Sequence, residues 1–417
     1  MSEPSTVSGA APGRPVVDRS MRPLIPFAAL SGAYFAHIGF FNPYLPLWLK
    51  DLGLPLAVIS LLVAVQPLTR VFAPYAWGLI SDRTGERVRL LRYSAVAALT
   101  LSTGLLWGSS GAWWVGVVLL LLFVHTSSMM GLTEATIAHV VAGDWGRYGR
   151  VRLWGSAGFL VTVFIAGAWF ERFGMHHFPG WAVGTLAVVA ICTFWLPNLH
   201  DKPVAGETTH EPIAPVLRQP VVVWFFIALF FHVMAHMAIY AYFSLFLDER
   251  GYGKAAIGAL WAVSVVVEIA WFFWQGRFIG RKAMSWWLLA CGWATVLRMA
   301  MTGALADWWP ALVLGQLLHA FTFAGHHTAC VAIVTHHFPG RLRGRGQALF
   351  TSAGYGLGGF VGVLAGGSLA HALGYRGLFA AATALALAAT ACAWRMRTLE
   401  RRIADAQVLW AGGGPSA

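Results

Sequence analysis

Three ionisable side chains sit where lipid would be expected, in three successive apolar stretches: Glu268 in VVVEIAWFFW, Arg298 in ATVLRMAMTG and His319 in LLHAFTF. A charge at the centre of a spanning helix costs roughly 2.5–3.5 kcal/mol on insertion scales. Such groups face a protein interior, pair with one another, and mark a path for a solute or a proton; the plainer alternative is an ion pair that only holds helices together. At 1.5 Å per residue, Glu268 lies roughly 18 Å from the outer end of its helix, His319 roughly 15 Å and Arg298 roughly 9 Å. A long Arg side chain can bridge that difference. Aromatic residues Trp271, Phe272 and Phe273 follow Glu268 by about one turn and offer a wall for a flat or amphipathic solute.

These residues must be positioned by helices in a bilayer. The chain has 417 residues, 58% of them hydrophobic and only 11% charged, with mean hydropathy +0.64. That composition describes an all-α, multi-pass membrane protein. About 20 apolar residues cross a bilayer, and twelve such stretches can be placed: 23–49, 56–80, 90–109, 112–141, 153–171, 181–197, 221–247, 256–276, 285–304, 309–338, 347–371 and 376–395. A polar, Pro-containing connection, 198–220, divides them into two sets of six, 23–197 and 221–395, flanked by a Ser/Pro/Gly-rich tail, 1–22, and a basic tail, 396–417. Residues 1–22 read as a disordered tail and not as a signal peptide.

The net charge of +12 follows from where the cations lie. Alternate connections carry most of the Lys and Arg, including Arg83, Arg87, Arg89, Arg147, Arg150, Arg281, Lys282, Arg343 and Arg345, whereas the opposite set holds Lys50, Arg172, Arg250, Lys254 and Arg376. The positive-inside rule then places both termini in the cytoplasm and removes any need for a nucleic-acid partner. The four cysteines lie in apolar stretches without ligand spacing, which implies neither disulfides nor zinc. His232 and His236 share a helix face at i, i+4, a spacing that permits a metal, but no acidic or Cys partner accompanies them. No metal, no cofactor and no enzymatic nucleophile–base pair is expected.

The halves look like repeats. A shift of 198 lays Ile59–Arg83 on Ile257–Arg281, with Ile59, Leu62, Ala64, Val65, Gly78 and Arg83 matched, and sets Arg70 on Glu268 as an intramembrane charge partner of opposite sign. A duplicated bundle with a site at the repeat interface is a transporter plan. Farther along, Glu134 in GLTEATIAHVV and Arg152 in YGRVRLWGS lie near the facing ends of consecutive helices, where a short loop can bring them together.

The stretch Gly78-Leu79-Ile80-Ser81-Asp82-Arg83-Thr84-Gly85-Glu86-Arg87 resembles the signature loop of the major facilitator superfamily, with Glu86 at a usually basic position. With FNPYLPLWLKDLG, YGRVRLWGS, Glu268, Arg298 and LLHAFTF, nearly the whole chain is similar to the phenylpropionate-permease branch, and more distantly to lactose-permease-type oligosaccharide–proton symporters. The resemblance implies two pseudo-symmetric six-helix bundles. It implies that Glu134, Arg152 and Glu268 bind substrate, and that Arg298 and His319 serve proton coupling. His37, Asn42 and His236 then line the cavity, since helices 1, 4, 7 and 10 do so in that superfamily. One position departs: Thr322 stands where the sugar symporters carry a titratable Glu.

The expectation is a monomeric proton symporter of the cell (inner) membrane, importing a small organic solute such as an aromatic acid, a sugar or a nucleoside. The alternatives are a proton-coupled exporter of amphipathic compounds and, from another class, a non-transporting sensor or an intramembrane enzyme.

Overall fold

The computed structural model describes residues 24–141, 145–198 and 212–412. The expected tail 1–22 and most of the connection 198–220 lie outside them, as does the side chain of Asp82. The described chain is helical throughout. Six helices come first: α1 (Ile25–Asp51), α2 (Leu56–Thr84), α3 (Arg87–Thr103), α4 (Ala112–Val141), α5 (Trp145–Phe173) and α6 (Phe178–Trp195). After the short α7 (Ala214–Leu217) come α8 (Pro220–Glu249), α9 (Lys254–Trp274), α10 (Met284–Ala304), α11 (Trp309–Leu317), α12 (His326–His337), α13 (Arg343–Leu349) and α14 (Gly359–Gly412). Two wide π-helical segments, Ala320–Gly325 and Phe350–Gly358, join α11 to α12 and α13 to α14.

Among the described residues, nine helical stretches are long and apolar enough to cross a membrane. The last, Arg343–Asp405, is 63 residues long, about twice what one crossing with tilt requires. It is broken at Gly374, whose φ of 68° is a left-handed conformation that Gly adopts without a Cβ penalty. Helices α1, with 27 residues, and α10, with 21, match a bilayer in length but are too polar to join the nine. Most of α1 is buried against other helices, so its Ser31, His37 and Asn42 need not face lipid.

Helix α1 packs on α5 and α6, α2 on α4, and α3 on α4 and α6, while α14 packs on α8 and α10. Contacts of α5 with α9, α2 with α14 and α1 with α8 join the earlier helices to the later ones. The α1–α5 crossing is set by glycine: a Cβ on Gly158 would collide with the Gly32 carbonyl, and one on Gly39 would sit 2.8 Å from Phe159 Cα. Small residues let membrane helices approach this closely. Beside this crossing an aromatic core forms, with Trp48 stacked on Phe178 at 5.1 Å between ring centroids and Phe40 and Phe41 against the same ring.

At the end carrying the α1–α2 and α8–α9 turns, polar contacts tie the elements together. Lys50 and Lys254 both pair with Asp248, at 2.8 and 3.1 Å. The Ala255 N–H donates to Glu171 at 2.8 Å. The Tyr44 hydroxyl bridges the carbonyls of Val163 and Lys254 at 3.0 and 3.2 Å. In the neighbouring 305–308 turn, Asp307 accepts from Arg250 and, at 2.8 Å, from Arg376.

Candidate functional site

Arg298 is fully buried and is the centre of a polar cluster. Its Nη1 donates to His319 Nδ1 at 3.0 Å and to the Thr322 hydroxyl at 2.9 Å, and its Nη2 donates to Gln316 Oε1 at 3.0 Å. All three acceptors come from the α11 end and the wide turn that follows. A π-helical turn carries an extra residue and is common at functional sites; here it accompanies the convergence of His319 and Thr322 on one guanidinium.

The cluster fixes the state of His319. Arg298 can only donate, so His319 Nδ1 must present its lone pair, and the proton of a neutral ring then sits on Nε2. That atom lies 3.5 Å from Glu268 Oε2, an ion-pair separation that is loose for a hydrogen bond. An imidazolium has no lone pair, so protonating His319 would break its contact with Arg298. Glu268 therefore meets Arg298 through His319. No Glu268–Arg298 pair within 4.0 Å occurs among the described residues.

Thr322 links this cluster to a second one. Its carbonyl accepts from His232 Nε2 at 3.0 Å, and the His232 carbonyl in turn accepts from His236 Nδ1 at 3.1 Å. The His232 ring lies flat on that of His326, 3.4 Å away and 2° from parallel. Together with Tyr240, Phe323 and Tyr355 these rings line a narrow cavity.

The pair expected across α4 and α5 is formed. Arg152 Nε lies 3.3 Å from Glu134 Oε1, the Tyr148 hydroxyl donates to the other carboxylate oxygen, and the guanidinium sits 4.1 Å from the Phe35 ring centroid. Sequence reasoning omitted Tyr148, which precedes Arg152 by one helical turn and so shares its face. It also omitted Phe35, for which no local signal exists, because its contact with Arg152 crosses from α1 to α5.

The remaining candidates are placed differently. His37 is buried against α6, with Nδ1 2.9 Å from the Thr185 hydroxyl, and Asn42 accepts from Gln66 at 3.1 Å. Trp271 belongs to a side cluster with Phe278, Trp287 and Phe321, and its indole N–H is used by Gln275 at 3.1 Å. Arg70 is half-buried and makes neither an ion pair nor a hydrogen bond among the described residues, so it is not joined to Glu268. In the signature loop, Gly85 ends α2 with φ 68° and its N–H on the Ser81 carbonyl. Gly78 has open space around it, Arg83 is exposed, and Arg87 opens α3.

The family profile described as MFS_1 like matches residues 29–381. The chain belongs to the MFS_1-like family. The probable 3-phenylpropionic acid transporter of Escherichia coli (strain K12) is 28% identical to this MFS_1-like protein over 316 residues, 72% of this chain and 79% of the relative. The maltose permease of Geobacillus stearothermophilus is 25% identical over 340 residues, 80% of this chain and 84% of the relative. A crystal structure of the nucleoside transporter NupG superposes with a TM-score of 0.78 at 15% identity, over 90% of this chain and 99% of that one, which establishes a shared fold. The MFS_1-like protein is thus a multi-pass membrane protein and a secondary-active transporter of a small organic solute, not an enzyme.

Proposed function

We propose that the protein is a proton symporter that imports a small organic solute by alternating access between two six-helix bundles, residues 23–197 and 221–395. The connection 198–220 and both tails, 1–22 and 396–417, then lie in the cytoplasm. The observation that carries the reading is the Glu268–His319–Arg298 chain, with separations of 3.5 and 3.0 Å. A rocking motion that moves α9 relative to α10 and α11 would make or break this chain of contacts, which ties proton uptake at Glu268 to opening.

Glu134 and Arg152 supply a polar anchor on the facing wall, and His236 lies in the cavity between, so these three and Glu268 form the solute contact. His37, Asn42 and Trp271 act as supporting residues, since their polar atoms already have protein partners. With Thr322 donating no titratable group, Glu268 carries the coupled proton. In this orientation the tied end around Lys50, Asp248, Glu171 and Lys254 is the outer one. The relatives' names point to aromatic acids, sugars and nucleosides as the solutes to try. A thermal-shift screen of those classes on the purified protein at two pH values tests the reading: the substrate stabilises the protein more as pH falls. Stabilisation that is indifferent to pH for every ligand would argue for uniport.

A further inference from the structure

Five charged side chains lie in the interior just described, and four of them have protein partners. Glu134 is held by Arg152 and Tyr148, Glu268 faces His319, and Arg298 donates to three neutral acceptors. Arg70 alone among these has no ion pair or hydrogen bond among the described residues. Three guanidinium groups against two carboxylates leave one positive charge in excess, and a cation left at membrane depth calls for a counter-ion.

The location of Arg70 points to where that counter-ion binds. The next residue, Val71, accepts a hydrogen bond from Ser352 through its carbonyl at 3.2 Å. A Cβ on Gly356 would lie 3.2 Å from the Val71 backbone nitrogen. Arg70 thus sits at the turn that abuts the wide segment carrying Tyr355, one wall of the cavity. Tyr240 and Tyr355 both line the cavity, and the Tyr240 hydroxyl has no hydrogen-bond partner among the described residues. A guanidinium presents paired N–H donors matched to a carboxylate, and a phenol can add a further donor.

We propose that Arg70, with the Tyr240 hydroxyl, receives the carboxylate of the transported solute, so that the substrate is an organic monoanion and not a neutral sugar or nucleoside. The inference rests on the transport reading above. While Glu268 is ionised, binding of one carboxylate balances the three interior cations, and the coupled proton then adds one positive charge to the loaded site. The substrate's charge is then compensated by Arg70 in α2 on one side, while the coupled proton resides on Glu268 in α9.

The test compares binding of 3-phenylpropionate with that of its neutral primary amide at pH 7, by titration calorimetry on the full-length protein in nanodiscs. Parallel acid–amide pairs with an aliphatic and a heteroaromatic body are included, with maltose and uridine as neutral probes. The wild type is expected to prefer the acid of at least one pair about tenfold or more, and Arg70→Gln to bring that ratio within twofold while amide binding persists. Should Arg70→Gln not fold, Arg70→Lys takes its place: a loss of acid affinity of threefold or more at unchanged amide affinity supports the proposal, and unchanged acid affinity overturns it. Absence of an acid preference in every pair overturns it, as does a tenfold preference retained in Arg70→Gln. Accumulation of a neutral solute that still depends on Glu268 would overturn this inference and leave proton symport standing. An acid preference lost with Arg70, together with accumulation indifferent to Glu268, would do the reverse.

Discussion

Replacing Thr322 by Val tests the architecture of the buried cluster, because the two side chains have nearly the same shape and differ in one acceptor. The Thr322 hydroxyl receives Arg298 Nη1 at 2.9 Å, with Arg298 0% and Thr322 1% exposed. No water can replace the lost partner at that burial. A hydrogen bond to a charged group contributes about 1.5–3 kcal/mol, and Nη1 would retain only His319. Thr322→Val should therefore lose about 1.5–3 kcal/mol, whereas Thr322→Ser should keep most of it. The assay is reversible denaturation in mixed micelles, comparing midpoints at constant m-value, and repeated in an Arg298→Met background where the donor is gone. In that background the cost of Thr322→Val should vanish. A loss below about 0.5 kcal/mol in the wild-type background, or an equal loss in both, would show that Thr322 does not hold Arg298.

Further outcomes follow from other contacts. Gly158→Val should prevent close packing of α1 on α5, because even a Cβ there collides with the Gly32 carbonyl. The expected result is loss of monodisperse protein on size exclusion, with graded, milder defects for Gly158→Ala and Gly158→Ser. Phe35→Leu removes the ring 4.1 Å from Arg152 and should cost about 0.5–2 kcal/mol while weakening solute binding more than folding, which parallel calorimetry and denaturation would separate. Arg250, hydrogen-bonded to Asp307, and then Arg376 hold the Asp307 carboxyl below the usual carboxylate range. Its contribution to stability is therefore present above the ordinary Asp value near 4 and fades as pH falls through the lowered one. Asp307→Asn should remove that part of the acid dependence of thermal stability, and the change should shrink in high salt because the group is exposed.

Much of this molecule was legible in the sequence because membranes impose simple rules. Apolar length located the helices, and the resemblance of the signature loop and of YGRVRLWGS pointed to the family. The Glu134–Arg152 pair was anticipated because both lie at facing ends of consecutive helices. What could not be read is tertiary or conformational. Nothing local marks Ala320–Gly325 or Phe350–Gly358 as wide turns, although the first flanks His319 and the second carries Tyr355. The stacking of His232 on His326 joins α8 to α12, a relation no helical spacing reveals. The repeat relation suggested Arg70 as partner of Glu268; among the described residues the one has no ion pair, and the other lies beside His319.

The claim that Glu268 couples proton movement to transport is tested most directly by Glu268→Gln in proteoliposomes with an imposed inward proton gradient. The substitution keeps the side chain's size and its capacity to accept from His319 Nε2, but removes its titration. The account predicts that the variant still exchanges labelled substrate across the membrane at equilibrium while failing to accumulate it above the external concentration. Accumulation of substrate by Glu268→Gln to the wild-type level would contradict it.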